Sequence, residues 1–398
     1  MPSIVIVGGS IAGFSAAAEL RARGYDGELR IVGEEPSRTY ERPPLSKGVL
    51  GGDDPATTEW AAARDDDLGI DWLLGERAVG LDVGGRSVAL ASGTALAFDG
   101  LVIATGARPR RLPAQPDLPG VHVVRTVDDS LALRADLDAG PARVAVVGAG
   151  FIGAEVAATC RRRGHEVTVV EPLPQPLERV LGAEVGRVVA DLHRREGVDL
   201  RLGVGVAAIE GDERVRLVRT TDGEEIAADV VVVGIGVVPN TEWLEGSGLP
   251  LGNGVLCDAT TLVAPGIVAC GDVAAWDSPR YGRIRVEHWD NAVDMGRAAG
   301  RRLLVPDGEA EPYDPVPWFW SDQYDVRLQV AGRPTPPEQG GKLAVVGGEL
   351  GDDRFAVLFG RDGQVTGALG WSWPAKAVRY RMALEQGLAW DDALASAP

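Results

Sequence analysis

Two glycine turns constrain this chain more than any other feature, because each demands the same local architecture at positions 140 residues apart. "IVIVGGSIAG" (4–13) and "VAVVGAGFIGAEVA" (144–157) both run from an apolar, strand-like stretch through a glycine turn into small, helix-forming residues. The first predicts a buried strand over 4–7 and a helix over 14–23 ended by Gly24. The second predicts a strand over 144–147 and a helix over 154–163. A further strand follows each, "ELRIVGEE" and "EVTVVE". Strand, glycine turn, helix, strand is half of a doubly wound dinucleotide-binding fold.

A chain of 398 residues has room for both turns to own a domain, since domains average roughly 150 residues. Apolar residues make up 45% and charged residues 25%, the balance of a globular protein with sizeable cores. The formal charge of −18 argues against nucleic-acid or anionic-membrane partners. No stretch reaches the ~18 apolar residues of a membrane span and no leader pattern opens the chain, so the expected location is the cytoplasm. Cys160, Cys257 and Cys270 are too far apart in sequence for a Cys-x-x-Cys dithiol, and the four histidines have no metal-ligand spacing, so no metal is expected.

Later segments extend the pattern. "DGLVIATGARP" (99–109) is a buried strand ending at Gly106 and Pro109, and "DVVVVGIGVVPN" (229–240) closes the second unit. "GIVACGDVAAW" (266–276) resembles the first domain again. The expected domains are therefore a discontinuous first unit over 1–110 and 236–314, a second unit over 111–235, and an α+β domain over 315–398. Short β-like runs in the last domain predict an antiparallel sheet.

In the second turn Gly148, Gly150 and Gly153 fill all three fingerprint positions, and Glu171 ends the next strand where an acid accepts from both adenosine ribose hydroxyls. Backbone N–H groups at such a helix start favour a pyrophosphate. The first turn has Gly8 and Gly13 but Ser10 in the middle, with Glu34 in the ribose-acid position. A nucleophile elbow is the rival reading, but Ala12 stands where that motif needs glycine. Two nucleotide sites without a catalytic serine, cysteine pair, histidine cluster or metal point to hydride transfer between two cofactors, a flavin dinucleotide and a nicotinamide dinucleotide.

Over essentially its whole length the chain resembles the flavoprotein ferredoxin reductases of bacterial oxygenase systems, the putidaredoxin reductase and biphenyl dioxygenase reductase group. "RPPLSK" (42–47), "ATGARP" (104–109), "CGDVA" (270–274) and "VEHWDNA" (286–292) carry the resemblance. It implies two α/β dinucleotide-binding domains in a glutathione-reductase-like arrangement and a C-terminal α+β domain. It implies FAD and NADH as cofactors, and electrons passed singly to a ferredoxin that feeds a haem-thiolate (P-450 type) or Rieske oxygenase. Alternatives are a rubredoxin reductase or NADH oxidase on the same fold, or a non-enzymatic FAD/NAD redox sensor.

The resemblance assigns Gly8, Ser10, Gly13, Glu34, Arg42, Lys47, Val79, Thr105, Arg125, Asp272 and Trp289 to FAD, with Asp272 expected at the start of a helix. It assigns Gly148, Gly150, Ile152, Gly153, Glu155, Glu171, Arg179 and Gly236 to the nicotinamide cofactor. Lys47, Glu155 and Trp320 are the expected catalytic residues, Lys47 as a cation near the flavin and Glu155 as a carboxylate beside the nicotinamide. Gln175 stands where relatives carry an arginine, and the redox cysteine pair of the wider superfamily is missing. Glu171 predicts NADH over NADPH, and FAD is expected to be held noncovalently.

The expected partner is an acidic iron–sulfur ferredoxin of the 2Fe-2S type. Between 280 and 302 lie Arg280, Arg283, Arg285, Arg297, Arg301 and Arg302 against three acids, a reversal of sign that suggests a docking face.

Overall fold

The computed structural model describes residues 2–60, 68–113 and 115–395. By packing, the chain divides into two units. The first comprises Met1–Glu41, Ala56–Arg108 and Val237–Pro317, and the second Arg42–Pro55, Pro109–Gly236 and Trp318–Pro398.

In the first unit, strand Ser3–Val7 lies parallel between Glu28–Gly33 and Gly100–Ile103. Asp71–Leu74 and Ile267–Ala269 extend the sheet in parallel on either side, and Leu262–Ala264 closes one edge antiparallel. Val5, Ile6, Val102 and Val268 are fully buried, which is why these strands read as continuous apolar runs rather than alternating ones. Helix Ile11–Ala22 packs against helix Trp289–Arg302 at very short range. A Cβ on Gly296 would lie 2.4 Å from the Ala12 carbonyl oxygen, and one on Gly300 2.7 Å from that of Ala16. The glycines of "DMGRAAG" therefore exist to let two helix backbones meet.

The second unit holds a parallel sheet in the order Asp199–Leu202, Glu166–Glu171, Arg143–Val147, Val230–Val233, Val121–His122. The C-terminal domain is an antiparallel sheet of five strands, Trp318–Gln323, Val326–Gly332, Gln364–Trp371, Phe355–Arg361 and Lys342–Gly347, followed by helices Pro374–Glu385 and Trp390–Ala395. One face of it shares a core with helix Glu178–Arg195 through Leu328, Val330, Phe355, Leu181, Val185 and Val189. The architecture is thus two doubly wound α/β sheets and an α+β domain. Among the described residues no helix is long and apolar enough to cross a membrane, and no group of three or more His, Cys, Asp or Glu is placed to hold a metal.

Both fingerprint helices begin three residues earlier than the sequence pattern predicts, at Ile11 and Phe151. Ser10 and Gly150 are the N-caps, in extended backbone conformation, so the helix starts directly after the middle fingerprint position. Gly13 and Gly153 then fall within the first turn. A Cβ on either would stand 2.0 Å from the carbonyl oxygen of Gly8 or Gly148.

Candidate functional site

Each glycine turn bends its strand end back on the sheet. Gly8 (φ +123°) donates its N–H to Val32 at 2.8 Å, and a Cβ there would lie 2.1 Å from the Ala104 oxygen. Gly148 (φ +98°) does the same towards Val170, with the Gly234 oxygen 2.5 Å from its missing Cβ. Among the described residues nothing lies within 4 Å of the Cβ position of Gly150, which leaves room for a pyrophosphate before the helix N–H groups.

In the first unit Ser10 makes no side-chain cap bond, and Glu34 is exposed just beyond its strand. Thr105 donates its hydroxyl to the Asn240 carbonyl at 2.8 Å, and the Asn240 side chain donates back to the Thr105 carbonyl at 2.9 Å. Val79 is exposed on strand Ala78–Asp82. Trp289 opens its helix with its ring 6.2 Å from that of Trp60, which in turn tilts against Phe14 at 5.7 Å. Asp272 departs from expectation: it sits in a single 3₁₀ turn, Gly271–Val273, that runs straight into strand Ala274–Ser278. What brings it beside the first fingerprint helix is Gly271 (φ +73°), whose missing Cβ would touch Ala12 at 2.8 Å.

In the second unit Glu171 is nearly buried and accepts N–H bonds from Ala149 at 2.7 Å and Leu173 at 3.0 Å. Its two oxygens are thus fixed, each with a lone pair to spare. Gln175 Oε1 and Glu178 Oε2, in the segment that follows, are buried acceptors with no hydrogen-bond partner among the described residues. Ile152 is exposed next to the N-cap, Arg179 is exposed and its carbonyl accepts from Gln339, and Gly236 (φ +96°) accepts from the Arg110 N–H.

A largely buried polar cluster centres on Glu155. It lies on the fingerprint helix at 3% exposure, far from the solvated helix-start acid that its position alone would suggest. Ser46 Oγ and Lys47 Nζ donate to Oε2 at 2.6 and 2.8 Å, and Ser321 Oγ donates to Oε1 at 2.7 Å. Lys47 also donates to the Pro43 carbonyl at 3.1 Å. Proline stiffens the 3₁₀ turn Pro43–Ser46 that presents it. Three further bonds pin this segment: Arg42 to the Arg125 carbonyl, Ser130 to the Leu45 carbonyl and Thr159 to the Ser46 carbonyl, at 2.7 to 2.8 Å. Trp320 is half-buried on strand Trp318–Gln323, opposite Gln329.

Sequence reasoning missed Ser46, Ser321 and Asn240. Ser46 had a signal in its place beside Lys47, whereas Ser321 is one polar residue in an alternating strand and shows its role only through its partner. The expected excess of positive charge along 280–302 is also corrected. Arg280 pairs with Asp314, Arg283 with Asp277, Arg301 with Glu19 and Arg302 with Asp307, four acids from outside the counted window that cancel the excess. Arg285 is nearly buried and donates to the Asp272 carbonyl at 2.9 Å, so it supports that turn instead of facing solvent.

The three cysteines are free and buried. Burial pushes the Cys160 and Cys257 thiols up to about 12 and raises Cys270 as well, which makes all three poor nucleophiles.

Residues 2–296 match the family described as pyridine nucleotide-disulphide oxidoreductase, and residues 318–398 match the reductase C-terminal family. The chain is 41% identical to rhodocoxin reductase of Rhodococcus erythropolis, over 89% of this chain and 83% of that one. It is also 41% identical to the ferredoxin–NAD(+) reductase component of the p-cumate 2,3-dioxygenase system of Pseudomonas putida, over 88% and 85%. The reductase in the covalent putidaredoxin reductase–putidaredoxin complex superposes with a TM-score of 0.91 at 31% identity, covering 98% of this chain and 94% of that one. Twin fingerprints, the sheet order around each and these matches lead to one assignment: the chain belongs to the pyridine nucleotide-disulphide oxidoreductase family.

Proposed function

We propose that this chain is an FAD-dependent NADH:ferredoxin reductase that supplies electrons to an oxygenase. The observation that carries the reading is the ion pair between Lys47 and Glu155, the latter buried on the second fingerprint helix, in a chain with two dinucleotide turns and no reactive thiol pair. Bound FAD supplies the conversion of a hydride, two electrons at once, into two single-electron deliveries.

The residues fit such groups. In the first unit Gly8, Ser10 and Gly13 present helix N–H groups to the FAD pyrophosphate, Glu34 accepts from its ribose, and Asp272, Thr105, Val79 and Trp289 hold the remainder. In the second unit Gly148, Gly150 and Gly153 do the same for the NADH pyrophosphate, and Glu171 takes the adenosine ribose. Ile152, Arg179 and Gly236 border that site. The orphan acceptor of Gln175 suits a ribose hydroxyl where an arginine would suit a phosphate.

Glu155 holds the Lys47 ammonium in one place, and a fixed cation of this kind would favour negative charge gained by a bound cofactor. Arg42, bonded to the Arg125 carbonyl, orders the segment that carries Lys47. No protein general base is needed, because the hydride moves with its electron pair.

The partner is an acidic 2Fe-2S ferredoxin, docking at the solvent-exposed arginines Arg283, Arg297 and Arg301. The Arg283–Asp277 and Arg297–Asp294 pairs are solvent-exposed on both sides, so carboxylates of a partner can compete for them, whereas Arg301 is tied to the mostly buried Glu19.

Purified protein is expected to be yellow, to release FAD on acid precipitation, and to reduce an added 2Fe-2S ferredoxin with NADH much faster than it consumes oxygen. Oxygen consumption as fast as ferredoxin reduction would make it an NADH oxidase. A colourless protein that takes up no FAD would end the reading.

A further inference from the structure

The face of the C-terminal sheet that packs on helix Glu178–Arg195 is apolar at Leu328, Val330, Phe355, Val357 and Leu369. Two alternate residues of strand Trp318–Gln323 interrupt it, Ser321 and Gln323, and both are wholly buried. Packing alone would be served by alanine and leucine there, and buried polar groups are costly unless every one is bonded.

Here they are bonded in a single chain. Tyr324 OH lies 3.1 Å from His193 Nδ1, and His193 Nε2 lies 3.1 Å from Gln323 Oε1. Gln323 Nε2 donates to Ser321 Oγ at 3.3 Å, and Ser321 donates to Glu155 Oε1 at 2.7 Å. Burial holds His193 down at about 4, so at neutral pH its ring donates on one side and accepts on the other. The Gln323 carbonyl needs a donor, which sets Nε2 as the protonated nitrogen and Nδ1 as the acceptor of the tyrosine hydroxyl. Every donor in the chain therefore points towards the Glu155 carboxylate. The Ser321 hydroxyl, whose lone pairs are turned to Gln323, has its proton committed to Oε1. With Oε1 filled, the carboxylate presents Oε2 to Lys47 and Ser46.

We propose that Ser321 is a positioning residue for the Lys47–Glu155 pair, with Gln323 and His193 holding its hydroxyl in register. The inference rests on the reading that this pair serves hydride transfer from NADH, and it adds the C-terminal domain to that step as the part that aims the carboxylate. Proton conduction along the chain is not required, which suits the amide at its middle.

The test is a double-mutant cycle on FAD-loaded protein, reading the rate of flavin reduction at saturating NADH by stopped flow and NAD+ affinity by calorimetry. A hydrogen bond to a charged group is worth about tenfold or more in rate when the charge must be held in place. Ser321→Ala is expected to slow reduction by about that factor while NAD+ affinity stays within about twofold, and Ser321→Thr, which keeps the hydroxyl, is expected to restore the rate. In a Glu155→Gln background Ser321→Ala should add little, because the group it aims is gone. If Ser321→Ala is too unstable to load, Ser321→Cys keeps the volume with a weak donor and carries the same comparison.

The inference is overturned if Glu155→Gln slows reduction and Ser321→Ala does not. It is also overturned if the two effects multiply independently, or if Ser321→Ala lowers NAD+ affinity and rate together without rescue by threonine. If Glu155→Gln leaves the rate unchanged, the assignment of the pair itself fails, and this inference falls with it.

Discussion

In the proposed reading Glu171 sets the choice of donor. Backbone N–H groups from Ala149 and Leu173 hold its oxygens, so it cannot swing away from a ligand. A 2′-phosphate beside it would meet an immobile negative charge, whereas ribose hydroxyls meet acceptors. Gln175 contributes no positive charge in compensation. Glu171→Gln, which removes the charge and keeps an acceptor, is expected to lower the ratio of kcat/KM for NADH over NADPH by about tenfold or more. Glu171→Ala would also strand two backbone donors, so a loss of stability would blur its result. An unchanged ratio in Glu171→Gln would show that donor choice is made elsewhere.

Among the elements, the pair of helices Ile11–Ala22 and Trp289–Arg302 carries the most consequence for the first unit. Gly296 and Gly300 lie against Ala12 and Ala16 with no room for a methyl group. The same helix start is touched by Gly271, which places Asp272. Gly296→Ala is expected to destabilise the protein by ~1–3 kcal/mol through overpacking and to lower FAD occupancy as the helix is pushed off its seat. Gly308→Ala is the control, since no described residue lies within 4 Å of its Cβ position. Thermal melts with and without FAD compare the two, and equal behaviour would remove the role given to this interface. The sequence made both fingerprint helices legible through their turns, but not the reason for the later glycines, because spacing says nothing of which backbone a glycine will meet.

At the scale of the whole molecule, a charge of −18 repels an acidic partner, so any docking face must work locally. A count along the chain from 280 to 302 exaggerates that face, because the fold brings Asp277, Asp314, Glu19 and Asp307 to its arginines. Arg283 and Arg297 remain about half exposed, while Arg285 is committed to the Asp272 turn. Charge reversal at Arg283 and Arg297 is expected to slow ferredoxin reduction several-fold and to flatten its salt dependence, with dye reduction by NADH nearly unchanged. A fall in both activities, or in neither, would place docking on another surface.

The sequence by itself determined the two dinucleotide units, the acids that end their second strands, and the lack of a dithiol, because each is written in local order: glycines at fixed offsets, apolar runs of strand length, cysteines too far apart to pair as a motif. Tertiary structure alone decided what those residues meet. It turned Glu155 from a helix-start acid into a buried carboxylate with three donors, and gave Ser46 and Ser321 their roles. It shortened the expected helix at Asp272 to one turn, and it cancelled a run of positive charge with acids distant in sequence. Local order fixes backbone geometry within a few residues, whereas burial and charge depend on neighbours that the folded chain supplies from 100 or more residues away, as with Ser46 and Ser321 at Glu155.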